Sequence, residues 1–359
     1  MRRIEEFTIY QNPDPLLVSR QATFPGIVQL PGGDLVALFS IGQAFDAADT
    51  RAHVSRSTDN GHTWSPPVRL NTHEVSPEES ESFKPLLLAD GSLLATGYVF
   101  VRPSPLVPIV DPESFALLRL RNKTSVSRDG GRSWSVPDYF DIEGQPLELS
   151  GPCIQLASGR VIGATTPFHL GKDDHAGWII ASDDLGRTWR KLSEFYRAPA
   201  GNVSTWECRL CEMTPGRVAV IFWAYDNAAG TNLNNHLAIS EDGGETFGPV
   251  RDTGVRGQAS SLMPLAGDKL LTIHAHREAP VGLVVRRVDV SAGGFRVEEA
   301  LDLFRDEAMG SDSADIKKQF GSLKFGQPSL LRLQDGDVLA ACWSFENSQY
   351  VIKGYRLAL

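Results

Sequence analysis

Short apolar runs, each broken by a glycine-bearing turn and answered by a second apolar run, recur along the whole chain. Six segments share the arrangement: FPGIVQLPGGDLVALFS from Phe24, KPLLLADGSLLATGYVF from Lys84 and SGPCIQLASGRVIGATT from Ser150, then ECRLCEMTPGRVAVIFW from Glu207, ASSLMPLAGDKLLTIHA from Ala259 and GQPSLLRLQDGDVLAACW from Gly326. Their starts lie 60, 66, 57, 52 and 67 residues apart. Each predicts a β-hairpin, two strands about a turn such as Asp90-Gly91 or Asp335-Gly336.

Between these hairpins a second pattern, S-x-D-x-G-x-[TS]-[WF], occurs four times: from Ser57 to Trp64, Ser127 to Trp134, Ser182 to Trp189 and Ser240 to Phe247. The chemistry is that of a tight turn. The Asp side chain accepts backbone N–H groups, the Gly supplies positive φ, and the aromatic ring packs inward.

A hairpin followed by a second strand pair makes a four-stranded antiparallel unit of about 60 residues, the size of one propeller blade. Six such units predict an all-β chain, a single six-bladed β-propeller spanning residues 1–359. Ring closure predicts that the C-terminal strand Tyr350–Leu357 is joined by an N-terminal strand near Ile4–Tyr10. Two stretches exceed the template as insertions at the rim. One is proline-rich, near 101–115; the other, near 299–324, has mixed charge and a helical rhythm around Leu301–Glu307.

Composition narrows the function classes. The 359 residues are 42% hydrophobic and carry a net charge of −9, which excludes disorder and argues against nucleic acid as a partner. No 18-residue apolar run predicts a membrane span, and the start, MRRIEEFTIYQN, lacks the apolar core of a signal peptide. A cytoplasmic protein is expected. Cys208 and Cys211 form a C-x-x-C within an extended run, which points their thiols to opposite faces. No metal or other cofactor is expected.

The four aspartate turns, set in a six-unit array, resemble the Asp-box (BNR) repeats of the sialidase superfamily, and the resemblance covers essentially the whole chain. It implies a sialidase-like propeller with its site at one mouth of the central channel. It also implies an arginine at the first inner strand, where Thr23 stands, and another ending the second strand of blade four, where Trp223 stands. The family's nucleophilic tyrosine falls on Gln327, whereas Glu207 matches the glutamate that supports it. A site of this kind departs from the standard sialidase mechanism, because Thr and Trp cannot fork onto a carboxylate as Arg does.

In a propeller the starts of the first strands and the ends of the second gather at that mouth. The starts supply Arg20, Thr23, Glu81, Lys84, Glu148, Glu207, Gln258 and Gln327. The leading expectation is a glycoside hydrolase for a small acidic or modified saccharide, with Glu207 and either Asp46 or Asp49 as its acid/base carboxylates. A lyase acting on a uronic-acid-type oligosaccharide, with His276 or Tyr225 as base, is the alternative; a non-catalytic sugar-binding propeller is a third. Arg51 and Arg277 are candidates for a rebuilt anion clamp. Trp223, Gln327, Lys84, His169 and Trp343 are further candidates for saccharide contact.

Overall fold

The structure, a computed structural model, describes residues 1–74, 78–111, 113, 117–168, 175–311 and 322–359. The chain begins with β1 (Arg2–Tyr10). Blade one follows as β2 (Gln21–Gln29), β3 (Leu35–Gly42), β4 (Arg51–Ser57) and β5 (Val68–Arg69). Blade two is β6 (Glu78–Leu87), β7 (Leu93–Arg102), β8 (Leu120–Ser127) and β9 (Asp138–Phe140). Blade three is β10 (Ile154–Gln155), β11 (Val161–Thr165), β12 (Ala176–Ser182) and β13 (Arg190–Arg197). Blade four comprises β14 (Val203–Thr214), β15 (Arg217–Asp226), β17 (His236–Ser240) and β18 (Arg251–Asp252), with the short β16 (Thr231–Asn232) paired to β15. Blade five is β19 (Ser260–Pro264), β20 (Lys269–His276), β21 (Gly282–Asp289) and β22 (Arg296–Arg305). Blade six takes β23 (Phe325–Arg332), β24 (Val338–Glu346) and β25 (Gln349–Ala358) from the C-terminus and β1 from the N-terminus. All pairings are antiparallel, and Arg2 to Tyr10 run against Ala358 to Ile352, the closure expected from the sequence.

Every blade interface holds its own apolar cluster, and this is why a single blade cannot stand alone. Val36, Leu38, Phe83 and Leu93 join blades one and two; Leu94, Leu149 and Ile180 join two and three; Ile162, Ile179, Val220 and Phe222 join three and four. Ile221, Leu237 and Leu270 join four and five, Ile273, Val285 and Phe325 join five and six, and Phe39, Trp343 and Ile352 close six onto one. Cys208 packs on the blade-three side of β14 and Cys211 on the blade-five side, so the two thiols do lie on opposite faces.

The four aspartate turns are built as their sequence predicts. In the first, Asp59 Oδ1 accepts from Thr63 N at 2.9 Å and from Ser57 Oγ at 2.7 Å, and Gly61 N donates back to Ser57 Oγ at 2.8 Å. Gly61 adopts φ +95°, which a side chain would resist.

One expectation needs correction. The stretch around Leu301–Glu307 is not helical: Arg296–Arg305 is β22, the outer strand of blade five, and only a 3-10 turn at Glu307–Met309 follows. Alternation wins here because β21 offers a ladder from Gly282↔Arg305 to Asp289↔Arg296. The remainder of that insertion, 312–321, lies outside the described residues, as do 112 and 114–116 of the proline-rich one.

Candidate active site at the propeller hub

First strands of neighbouring blades touch around the axis, β2 with β6 and β23, and β19 with β14 and β23. Three of these inner strands carry the same irregularity. In β14, Trp206 pairs with Trp223 and Arg209 with Ile221, so Glu207 and Cys208 together face one partner residue. Glu207 has φ +48°. The bulge recurs in β2, where Phe24 has φ +59°, and in β23, where Gln327 has φ +40°. Left-handed backbone at a non-glycine residue costs about 1–3 kcal/mol, and such bulges re-aim a side chain out of the strand's alternation.

The consequence at Glu207 is electrostatic. Its charge acts on Lys84 and Tyr98 of blade two, on Glu148 just before blade three, and on Arg277 at the end of β20 in blade five. Only a carboxylate near the axis reaches groups from so many blades. Its own N–H donates to Glu148 Oε2 at 3.1 Å. Glu148 is buried; that burial, with the Glu207 charge added, pushes its carboxyl up to about 7. Burial also drives the Lys84 ammonium well below the usual lysine range, with Arg209 reinforcing the effect and Glu207 and Glu148 opposing it. Lys84 Nζ donates to the Phe24 carbonyl at 2.8 Å. Burial raises the Tyr98 phenol. Arg209 Nη1 reaches Ser150 Oγ at 3.1 Å and the Cys208 carbonyl at 2.9 Å.

Arg277 faces the same centre. Its Nε donates to the Phe325 carbonyl at 2.9 Å, and its guanidinium lies 5.7 Å from the centre of the Trp343 ring. Desolvation lowers it to about 10, while the Glu207 charge pulls the other way. Gly326 makes this seat possible, since a Cβ there would overlap Arg277 Nη2. Gln327 Oε1 and Trp343 Nε1 are buried beside it without a hydrogen-bond partner.

Thus Glu207, Lys84 and Arg277 come together. Other candidates have different partners. Asp46 pairs with the Arg102 guanidinium and accepts from Ile109 N at 3.3 Å. Asp49 Oδ1 accepts from Gln43 N at 3.0 Å, which ties the loop after β3 to itself. Arg51 Nη1 holds the carbonyls of Ala48, Thr50 and Glu79 at 2.7–3.1 Å. Trp223 lies edge-on to Trp206 at 5.0 Å and donates its indole N–H to Asn232 Oδ1 at 2.8 Å. Tyr225 stacks on Trp206 at 5.1 Å and is buried. His276 Nε2 receives Arg286 Nη2 at 3.1 Å, and burial lowers its imidazole to about 4. His276 and Arg277, adjacent in sequence, have separate hydrogen-bond partners, Arg286 and the Phe325 carbonyl. His169 lies outside the described residues.

Glu148 and Tyr98, which the blade template places at the mouth, and Arg209 are the hub residues given no site role from sequence. Glu148 carried a signal, its place just before a first strand, whereas Arg209 carried none. Among the described residues, no group of three or more His, Cys, Asp or Glu is placed to hold a metal, and no helix is long and apolar enough to cross a membrane. A cavity of about 530 Å³ lies against Arg119, Arg121, Tyr139 and Phe168 between blades two and three, and none of Glu207, Lys84, Glu148 or Arg277 lines it.

No family model and no curated protein matches the chain. Solved structures do. A protein of unknown function from Dyadobacter fermentans superposes with a TM-score of 0.76 at 21% identity, over 99% of this chain and 98% of that one. A Hadza microbial sialidase gives 0.71 at 18%, over 99% and 68%. The intramolecular trans-sialidase of Ruminococcus gnavus gives 0.67 at 14%, over 98% and 97%. The fold is that of the sialidases. At these identities the likeness is one of architecture.

Proposed function

We propose that the chain is a carbohydrate-active enzyme, a glycoside hydrolase for a small acidic saccharide, with Glu207 as its reacting carboxylate. The observation that carries this reading is the reach of the Glu207 charge to Lys84, Tyr98, Glu148 and Arg277, groups from three other parts of the ring. Glu148 and Glu207 form the carboxylate pair. Burial keeps Glu148 protonated up to about pH 7, so it can store the proton that Glu207 exchanges with the glycosidic oxygen or with water. Arg277 supplies the anion contact: a buried guanidinium whose terminal nitrogens find no hydrogen-bond partner among the described residues favours an anionic ligand. The acidic substrate is further supported by the Ruminococcus gnavus neighbour, whose structure holds oseltamivir carboxylate.

This pairing replaces the one expected from sequence, since Asp46 is joined to Arg102 and Asp49 to its own loop. The lyase alternative asks for a base at His276 or Tyr225. His276 already receives the Arg286 N–H on Nε2, and the Tyr225 ring is stacked against Trp206. Product analysis separates the readings. Hydrolysis of an acidic glycoside gives a saturated sugar, whereas elimination gives a double bond with near-ultraviolet absorbance. Unsaturated product would overturn the hydrolase assignment.

A further inference from the structure

Beside Arg277, between blades four and five, lies a cavity of about 130 Å³ whose wall includes Asn232, Arg256, Gln258, His276, Arg277 and Glu278. Gln258 is the anomaly in that wall. It is 4% exposed, yet neither Oε1 nor Nε2 has a hydrogen-bond partner. A buried carboxamide with donor and acceptor both unmatched is costly, and native structures rarely keep one without use.

Its backbone is fixed on both sides. Gln258 N donates to the Ala275 carbonyl at 2.7 Å, and Asn235 Nδ2 holds the Gly257 carbonyl at 2.8 Å. Gly257 has no room for a Cβ, which would come within 2.6 Å of Asn235 Oδ1 and Ser260 Oγ. Only the side chain of Gln258 is left to turn, and its last torsion is soft.

The rest of the wall defines what the amide can meet. Glu278 is matched by Arg256 Nη1 at 2.6 Å and by Asn232 Nδ2 at 2.6 Å, and Asn232 in turn accepts from Trp223. His276 is neutral at pH 7, its imidazole lowered to about 4 by burial. Apart from Arg277, the wall therefore carries no net charge. A carboxylate can only accept and an ammonium can only donate, so either would leave half of the Gln258 amide unmatched. A pair of neighbouring hydroxyls satisfies both halves. The space, equivalent to about four waters, admits one edge of a sugar ring and not a second sugar.

We propose that this cavity is the subsite for free hydroxyls of a sugar acid, Gln258 turning its carboxamide to accept from one hydroxyl and donate to the next while Arg277 holds the carboxylate of the same residue. The assignment rests on the hub being an acidic-saccharide site. It adds that two neighbouring hydroxyls of the bound sugar acid are unsubstituted.

The test is equilibrium binding to the full chain of cyclohexanecarboxylate, a bare anion, against the hexuronates D-glucuronate, D-galacturonate, D-mannuronate and L-iduronate. At least one uronate should bind about tenfold more tightly than the bare anion. Gln258→Leu should erase that advantage while binding cyclohexanecarboxylate as the parent does, which also reports that the variant is folded. Gln258→Met, which keeps the length and loses both donor and acceptor, should erase it as well. Uronates that bind no more tightly than cyclohexanecarboxylate, or an advantage that survives both variants, would overturn the subsite. Failure of cyclohexanecarboxylate to bind the parent, or equal binding by Arg277→Met, would instead overturn the hub reading.

Discussion

The backbone N–H of Glu207 donates to Glu148 Oε2 at 3.1 Å, joining a residue of β14 to one that precedes blade three. The bond exists because the bulge in β14 frees that N–H from the ladder with β15. Burial of Glu148, with the Glu207 charge added, raises its carboxyl to about 7.

Glu148 should make the fold less stable as pH rises. Its carboxyl goes from an ordinary 4.5 to about 7 in the folded chain, so between those values the folded state binds more protons than the unfolded state. Stability is then full below about pH 4.5, declines as pH rises toward 7, and is level above. The loss is up to about 3 kcal/mol for this one group. Glu148→Gln should flatten that slope in urea unfolding curves taken from pH 4.5 to 8. An unchanged slope would place the Glu148 charge elsewhere.

Arg277 trades stability for binding. Arg277→Met removes a desolvated guanidinium from an interior site, so the melting temperature should hold or rise. Affinity for acidic sugars should fall about 100-fold. Gly326→Ala should weaken the same binding without touching ligand, because the new Cβ displaces Arg277 Nη2. Calorimetry with an acidic sugar checks both.

The aspartate turns should prove purely structural. Asp184 accepts from Thr188 N at 2.8 Å and from Ser182 Oγ at 2.8 Å, in the turn between the two outer strands of blade three. Asp184→Ala should lower the melting temperature by a few degrees and leave kcat unchanged. A selective loss of kcat would contradict this.

The architecture was legible because its signals are local. A Gly turn between apolar runs and an Asp with its Ser, Gly and Thr are complete within a few residues, and six copies need only be counted. Leu301–Glu307 misled because spacing of apolar residues in a charged segment fits both periods, and the neighbouring strand decides. At the site, Glu207 and Arg277 could be placed from the blade template. Glu148 could be placed but not chosen, since its raised carboxyl comes first from burial and then from the Glu207 charge, both set only once the blades assemble. Asp46 gave no hint of Arg102, nor Arg51 of the three carbonyls it holds, because both pairings depend on loop paths.

Turnover of 4-methylumbelliferyl glycosides of acidic sugars by the parent chain and by Glu207→Gln tests the assignment most directly. The expected result is a kcat lower by about 10²–10⁴-fold, with affinity for the sugar acid kept, since the amide preserves shape and removes only the proton exchange. Full activity in Glu207→Gln would contradict it.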